Sequence, residues 1–147
     1  MNIQAPLQPK NYVIDFLSVK ANPAFRPSKE KVKLGFRLGF DPKLKQKKGT
    51  NQYMLGMEVG VNESDKDFKV APYRIVLRLF TFFELDPGVP EDQKRRMLSL
   101  NTLLIAYGIA RGIVAEVTAQ GRYGKFVLPA VNFVEFLKQM REQKKPQ

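Results

Sequence analysis

Three stretches in the first 85 residues alternate between two faces, a further strand precedes them, and the remainder switches to a helical period. Residues 11–20 read as a first strand, ended by Asn22, Pro23 and Pro27. Residues 30–40 place Val32, Leu34, Phe36, Leu38 and Phe40 on one face, and Lys31, Lys33, Gly35, Arg37 and Gly39 on the other. Residues 52–61 repeat the pattern, with Tyr53, Leu55, Met57, Val59 and Val61 opposed to Met54, Gly56, Glu58 and Gly60. Residues 72–85 turn Tyr73, Ile75, Leu77, Leu79, Thr81, Phe83 and Leu85 inward, and Arg74, Val76, Arg78, Phe80, Phe82 and Glu84 outward. Four strands with no room for crossover helices predict an antiparallel meander.

Residues 86–90, Asp-Pro-Gly-Val-Pro, break the alternation. A long helix is predicted from a cap at Asp92 to Gly121. Its apolar positions cover nearly the whole circumference, so it must be buried on all sides. One small sheet covers one side, which predicts a homo-oligomer, a dimer or tetramer, with this helix against a partner subunit. Residues 121–132 form an irregular apolar loop, and Asn132 caps a short final helix striped by Val134, Phe136, Leu137 and Met140. The expected organisation is a flexible arm at residues 1–10, one domain at 11–142 and a basic disordered tail at 143–147. The fold class is α+β: a four-stranded antiparallel sheet followed by one long and one short helix.

Composition removes most chemistry. Among 147 residues there is no His and no Cys. General acid–base work by imidazole, Ser-His-Asp and Cys-His nucleophile sites, disulfides and the preferred zinc ligands are all excluded. No glycine-rich phosphate loop is present. The chain therefore reads as a binding protein that needs no cofactor, not as an enzyme. The most apolar run, residues 97–117, is interrupted by Asn101, Arg111 and Glu116, which a membrane span tolerates poorly. With no apolar stretch of signal-peptide length at the N-terminus, the expectation is a soluble, cytoplasmic protein without membrane insertion. Twenty-five Lys and Arg against 14 Asp and Glu give a net charge of +11. That balance favours acidic partners, either acidic protein or nucleic acid.

The last third carries the most specific pattern. Tyr107, Ala110 and Arg111 lie in the long helix; Gly121 follows it; Leu128, Val131, Asn132 and Phe133 close the loop before the short helix. This arrangement resembles the SecB-like chaperones, which show an aromatic-Pro-x-Ala-Arg segment, a Gly, a loop ending Leu-x-Pro-Val-Asn-Phe and a short helix. Gly108 stands where that family has its helix proline, and Pro129 is displaced by one position. The resemblance implies an ATP-independent holdase that binds unfolded, partly folded or nascent polypeptide in an apolar groove. Release would follow client folding or transfer to a partner. Tyr107, Tyr123, Phe126, Leu128, Phe133, Phe136 and Leu137 are the client-binding residues it implies, and the other reading of them is ordinary core beneath an irregular loop. The pathways implied are protein export, with docking on a translocation ATPase, and toxin–antitoxin pairs, where the client is an antitoxin. Export members dock that ATPase through acidic groups, whereas Lys31, Lys33, Arg37, Arg74 and Arg78 make the polar sheet face basic here.

Three further features have two readings each. Val76, Phe80 and Phe82 form a secondary apolar surface, for client or subunit, or are isolated exposed groups. Gly35, Gly39, Gly56 and Gly60 share that face and mark close approach of another backbone or relief of crowding. The basic loop, residues 43–48, grips an acidic client or phosphate, or is a solvated hairpin. Arg111, Gly121 and Asn132 are structural: Arg111 needs a carboxylate or helix-end carbonyls if buried. The alternative function is a basic nucleic-acid-binding module on the same fold, recognised by a steep salt dependence.

Overall fold

The computed structural model describes residues 3–41 and 44–143. The expected tail residues 144–147 and Lys43 of the basic loop lie outside the described residues. Strands β1 (Leu7–Ala21), β2 (Phe36–Phe40), β3 (Lys45–Gln46), β4 (Gln52–Val61) and β5 (Tyr73–Leu85) form one antiparallel sheet. A single turn, α1 (Asp65–Phe68), joins β4 to β5. The long helix comprises α2 (Glu91–Arg96), a π-helical turn (Met97–Asn101) and α3 (Thr102–Thr118); α4 (Phe133–Gln143) ends the described chain. The architecture is the predicted α+β class.

The sheet order is β1-β5-β4-β2, with β3 also paired to β4. The meander expectation is corrected here. β2, β4 and β5 follow one another by hairpins, but β1 pairs with β5 along its length, from Leu7↔Leu85 to Ala21↔Tyr73. An irregular segment, residues 22–35, does the work of a crossover. Two buried amides fasten it. The Asn22 side chain donates to the carbonyls of Phe68 (2.9 Å) and Ala71 (3.1 Å) and accepts from the amide of Ala24. The Asn62 carboxamide accepts from the Gly35 amide at 3.1 Å and donates to the Tyr73 carbonyl at 3.0 Å. Asn62 holds φ at +53°, a conformation Asn tolerates better than most residues.

That turn also shortens the second strand. β2 pairs with β4 only from Phe36↔Val61 to Phe40↔Met57, because β4 ends at Val61 and offers residues 30–35 no further strand partner. β1 starts at Leu7, which is buried, so Leu7 to Lys10 belong to the sheet and not to the expected arm. β1 carries register shifts between Pro9 and Asn11 and between Ile14 and Phe16, leaving Lys10 and Asp15 at bulges.

The inner face matches the alternation. Tyr53, Leu55, Met57, Val59 and Val61 of β4 and the seven inward residues of β5 are all buried. Leu103, Ala106, Tyr107, Ala110, Ile113 and Val114 of α3 pack into the same core. By length and composition the helix Glu91–Thr118 is long and apolar enough to cross a membrane, but here it lies against the sheet. Asp92 does not cap it. Pro90, extended at φ −59° and ψ 148°, is the N-cap, and Glu91 and Asp92 fall in the first turn, where they complement the helix dipole. Asn132 does cap the final helix, its Oδ1 accepting from the Glu135 amide at 3.0 Å. The long helix is not covered on all sides: Leu104 and Val117 are exposed.

Candidate functional site

The loop after the long helix is fixed by four polar side chains. Thr118 Oγ1 accepts from the Phe126 amide at 2.8 Å while donating back to the Val114 carbonyl at 2.7 Å. Tyr73 Oη donates to the Gly124 carbonyl at 2.9 Å and accepts from the Tyr123 amide at 2.8 Å. Arg111 Nε donates to the Leu128 carbonyl at 3.0 Å, so a loop carbonyl takes the place of the expected carboxylate or helix-end acceptor. Tyr107 Oη donates to the carbonyl of Pro129. Burial pushes the Tyr107 phenol above its ordinary value, and the nearby Arg111 charge pulls the other way. Gly121 is required by packing: a Cβ there would lie 2.6 Å from Tyr73 Oη.

This scaffold brings the expected client residues into two groups. Tyr123 stacks edge-on against Phe25 and Tyr73, with centroids 5.1 and 5.9 Å apart. Beside it Phe25, Val32, Leu34, Val70, Ala71 and Phe126 line an open groove of about 540 Å³, with Arg26, Lys33 and Lys69 against Glu30 along it. The second group is an aromatic run in which Phe36 meets Tyr107, Tyr107 meets Phe133, and Phe133 and Phe136 both meet Phe40. Next to it Leu100, Val134 and Leu137 line a second depression, of about 530 Å³, with Arg95, Arg96, Lys138 and Arg141 against Asp92.

Of the seven residues, Tyr107, Leu128 and Phe133 are buried core and present no surface. Tyr123, Phe126, Phe136 and Leu137 are part-exposed and pack against the core edge. Phe25, Val32, Leu34 and Val70 were not singled out as site residues. Phe25 had a usable signal, an aromatic ring between Pro23 and Pro27 that must stay near the turn they impose. The apolar positions of 30–34 were read as strand, and only the loss of pairing beyond β4 frees them for the groove.

The outer sheet face differs from the basic surface expected. Arg37 forms a fork on Glu63 (2.7 and 3.0 Å) and reaches Glu58 at 2.7 Å; Arg74 pairs with Asp65 at 2.9 Å and Arg78 with Asp15 at 3.5 Å. The Arg37 guanidinium holds the Glu63 carboxyl below the usual carboxylate range. The glycines make room for carboxylates of the same chain: a Cβ on Gly35, Gly56 or Gly60 would strike Asp67, Asp41 or Glu63, while Gly39 faces open space. Val76, Phe80 and Phe82 are part-buried, with the Arg78 guanidinium 5.6 Å from the Phe80 ring centre.

No family model matches the chain. It is 21% identical over 136 residues to an uncharacterised protein of Methanocaldococcus jannaschii, covering 91% of this chain and 84% of that one. Its fold is that of a SecB-like chaperone of Mycobacterium tuberculosis, solved in complex with a ChAD peptide from the HigA1 antitoxin. The TM-score is 0.57 at 11% identity, covering 86% of this chain and 91% of that one. A Streptococcus agalactiae protein of unknown function aligns with a TM-score of 0.48 at 10% identity, over 84% of this chain and 97% of that one.

Proposed function

We propose that the protein is an ATP-independent holdase that binds apolar segments of unfolded client polypeptide in the groove lined by Phe25, Val32, Leu34, Val70 and Phe126. The observation that supports this reading is that open groove, on a fold shared with a chaperone whose solved complex contains an antitoxin peptide. A client chain offers apolar side chains and backbone, and a long open groove binds them with little shape selection. Burial supplies affinity at about 25 cal/mol per Å² of apolar surface removed from water. The cations beside both depressions outnumber the carboxylates there, which favours clients whose apolar stretches are flanked by acidic residues. A dedicated client of antitoxin type fits this better than export through a translocation ATPase, whose docking in the family uses acidic groups. The reading places the protein in the cytoplasm and gives it no catalytic role.

Self-association belongs to the same reading. β1 is a 15-residue edge strand, and it exposes Tyr12, Val13, Ile14 and Phe16 in sequence, Phe16 at 54%. A long apolar edge of this kind pairs with another chain unless it is covered. Together with Leu104 and Val117 on the long helix it is the surface on which copies would meet.

The test is an anisotropy titration of a labelled, permanently unfolded polypeptide at near-physiological salt, with single-stranded RNA as competitor. Val32→Asp combined with Phe126→Asp is expected to weaken binding by about tenfold or more, since each places a carboxylate in an apolar contact. Val32 is 51% exposed, so its substitution leaves the fold intact. Client binding that persists in the double variant, or that RNA erases, would refute the groove.

A further inference from the structure

A larger cavity lies away from this groove. It measures about 740 Å³ and opens where β4 begins and β5 ends, lined by Lys10, Lys45, Gln46, Lys47, Gln52, Met54, Phe82 and Glu84, with Tyr53 and Phe83 beneath. The client groove adjoins Asn62 and Pro72, at the opposite end of the same two strands. Ten residues of β4 separate the ends, roughly 30 Å of extended strand.

Its construction follows from the register. Met54 pairs with Phe82 across β4 and β5, and Lys45 of β3 pairs with Met54, so one lysine and two apolar side chains share the outer face. Lys47 continues from β3, its amide bonded to the Gln52 carbonyl at 2.9 Å. Lys10 comes from the far side, at the bulge in β1. The result is an apolar floor under three amines and one carboxylate. None of the three lysines forms an ion pair with a described residue, whereas Arg37, Arg74 and Arg78 on the same face are all paired. Tyr53 Oη is buried and has no hydrogen-bond partner among the described residues.

We infer that this cavity docks an acidic segment of a partner protein, with an apolar side chain over Met54 and Phe82 and carboxylates at Lys10, Lys45 and Lys47. The chemistry favours peptide over nucleic acid. The cations are all lysines, without the guanidinium forks that grip phosphate bidentately. Phe82 is part-buried and Tyr53 and Phe83 are buried, so no exposed ring is offered for base stacking. An apolar floor of side-chain size suits a Phe or Leu, and the ring of amines selects its acidic neighbours. Because the site is remote from the client groove, both can be filled together.

The test is anisotropy with two labelled peptides of about eight residues, roughly 26 Å when extended. One carries Glu around a central Phe; the other replaces each Glu by Gln. The Glu peptide should bind, and Lys45→Glu with Lys47→Glu should weaken it by about tenfold or more. Lys66→Glu with Lys125→Glu changes net charge equally at exposed positions elsewhere and should alter binding by less than about twofold. Val32→Asp/Phe126→Asp should leave it unchanged, which separates this inference from the groove. Equal loss in both lysine pairs, equal binding of the Gln peptide, displacement by unfolded client, or tighter binding of single-stranded DNA of matched charge would each overturn it.

Discussion

Gly121→Ala tests how the groove is held in place. The backbone there tolerates alanine, so the cost comes from space: the new methyl would sit 2.6 Å from Tyr73 Oη and 3.1 Å from the Thr118 carbonyl. The Thr118 carbonyl belongs to the helix end and yields little, so Tyr73 must move. Its hydroxyl bonds both the Gly124 carbonyl and the Tyr123 amide, so moving it loosens both contacts. Overpacking costs about 1–3 kcal/mol, and two hydrogen bonds contribute about 1 kcal/mol each. A small offset of about 0.5 kcal/mol comes from the stiffer unfolded chain. The expected net loss is about 3 kcal/mol, near 10 °C in Tm for a chain of this size.

A double-mutant cycle isolates the cause. Tyr73→Phe alone removes the hydroxyl and should cost about 2 kcal/mol. The two substitutions together should cost little more than Tyr73→Phe, because the atom nearest the methyl is gone and only the 3.1 Å approaches to the Thr118 carbonyl and Tyr73 Cε1 remain. The coupling energy is therefore expected near 2–3 kcal/mol, the upper range for residues in direct contact. Chemical denaturation of the four proteins measures stability, and client anisotropy reads the loop, because Tyr123 and Phe126 sit on it. Additive costs, or a Gly121→Ala protein as stable as the parent, would refute the argument that Gly121 exists to admit the Tyr73 hydroxyl.

Other expectations can be checked alongside. Glu63 is held below its ordinary pKa by Arg37, so its pairing stabilises the fold above about pH 4.3 and is lost as pH falls through the depressed folded value. Both side chains are more than a third exposed, so Glu63→Gln should flatten the acid limb of a pH-stability curve by under about 1 kcal/mol; no change in that limb would refute the pairing. Phe16→Glu on the β1 edge should shift sedimentation toward monomer while leaving the circular dichroism spectrum intact, and an unchanged sedimentation profile would exclude β1 from the subunit contact. Arg111→Met leaves the Leu128 carbonyl without its donor and should cost about 1–3 kcal/mol by denaturant titration; a neutral result would mean that the bond contributes nothing.

β4 and β5 were legible because each carries one face's worth of period-2 apolar residues, and they match their predicted extents to within a residue. Topology was not. Alternation says which side of a strand faces inward and nothing about its neighbour, so the β1–β5 pairing was invisible in residues 11–20. The early start of β1 was hidden because Leu7 is one buried residue among Gln and Pro. The helix start was misread because Asp92 is a good cap in isolation, whereas Pro90 fixes the entry angle two residues earlier. Among the expected site residues the motif located the loop but not its accessible side. Tyr107, Leu128 and Phe133 fit a recurring pattern because they hold the loop to the helix, and that same role buries them.

The distribution of charge connects the two binding surfaces. A net +11 spread evenly would make the chain a general polyanion binder. Instead, the arginines of the outer sheet face are spent on Glu58, Glu63, Asp65 and Asp15. Three glycines on that face leave room for Asp67, Asp41 and Glu63 to lie against it, so carboxylates offset the arginines there. Ten other cations border apolar depressions: Arg26, Lys33 and Lys69 at one, Arg95, Arg96, Lys138 and Arg141 at another, Lys10, Lys45 and Lys47 at the third. An exposed amine alone contributes little in water, and a shallow apolar floor alone does not discriminate. Set side by side, on the proposed reading, they would prefer the same ligand, an apolar side chain with acidic neighbours. On the proposed reading, such a surface would favour that ligand over both a neutral apolar peptide and a polyanion without apolar groups, which is the selectivity a holder of particular chains needs.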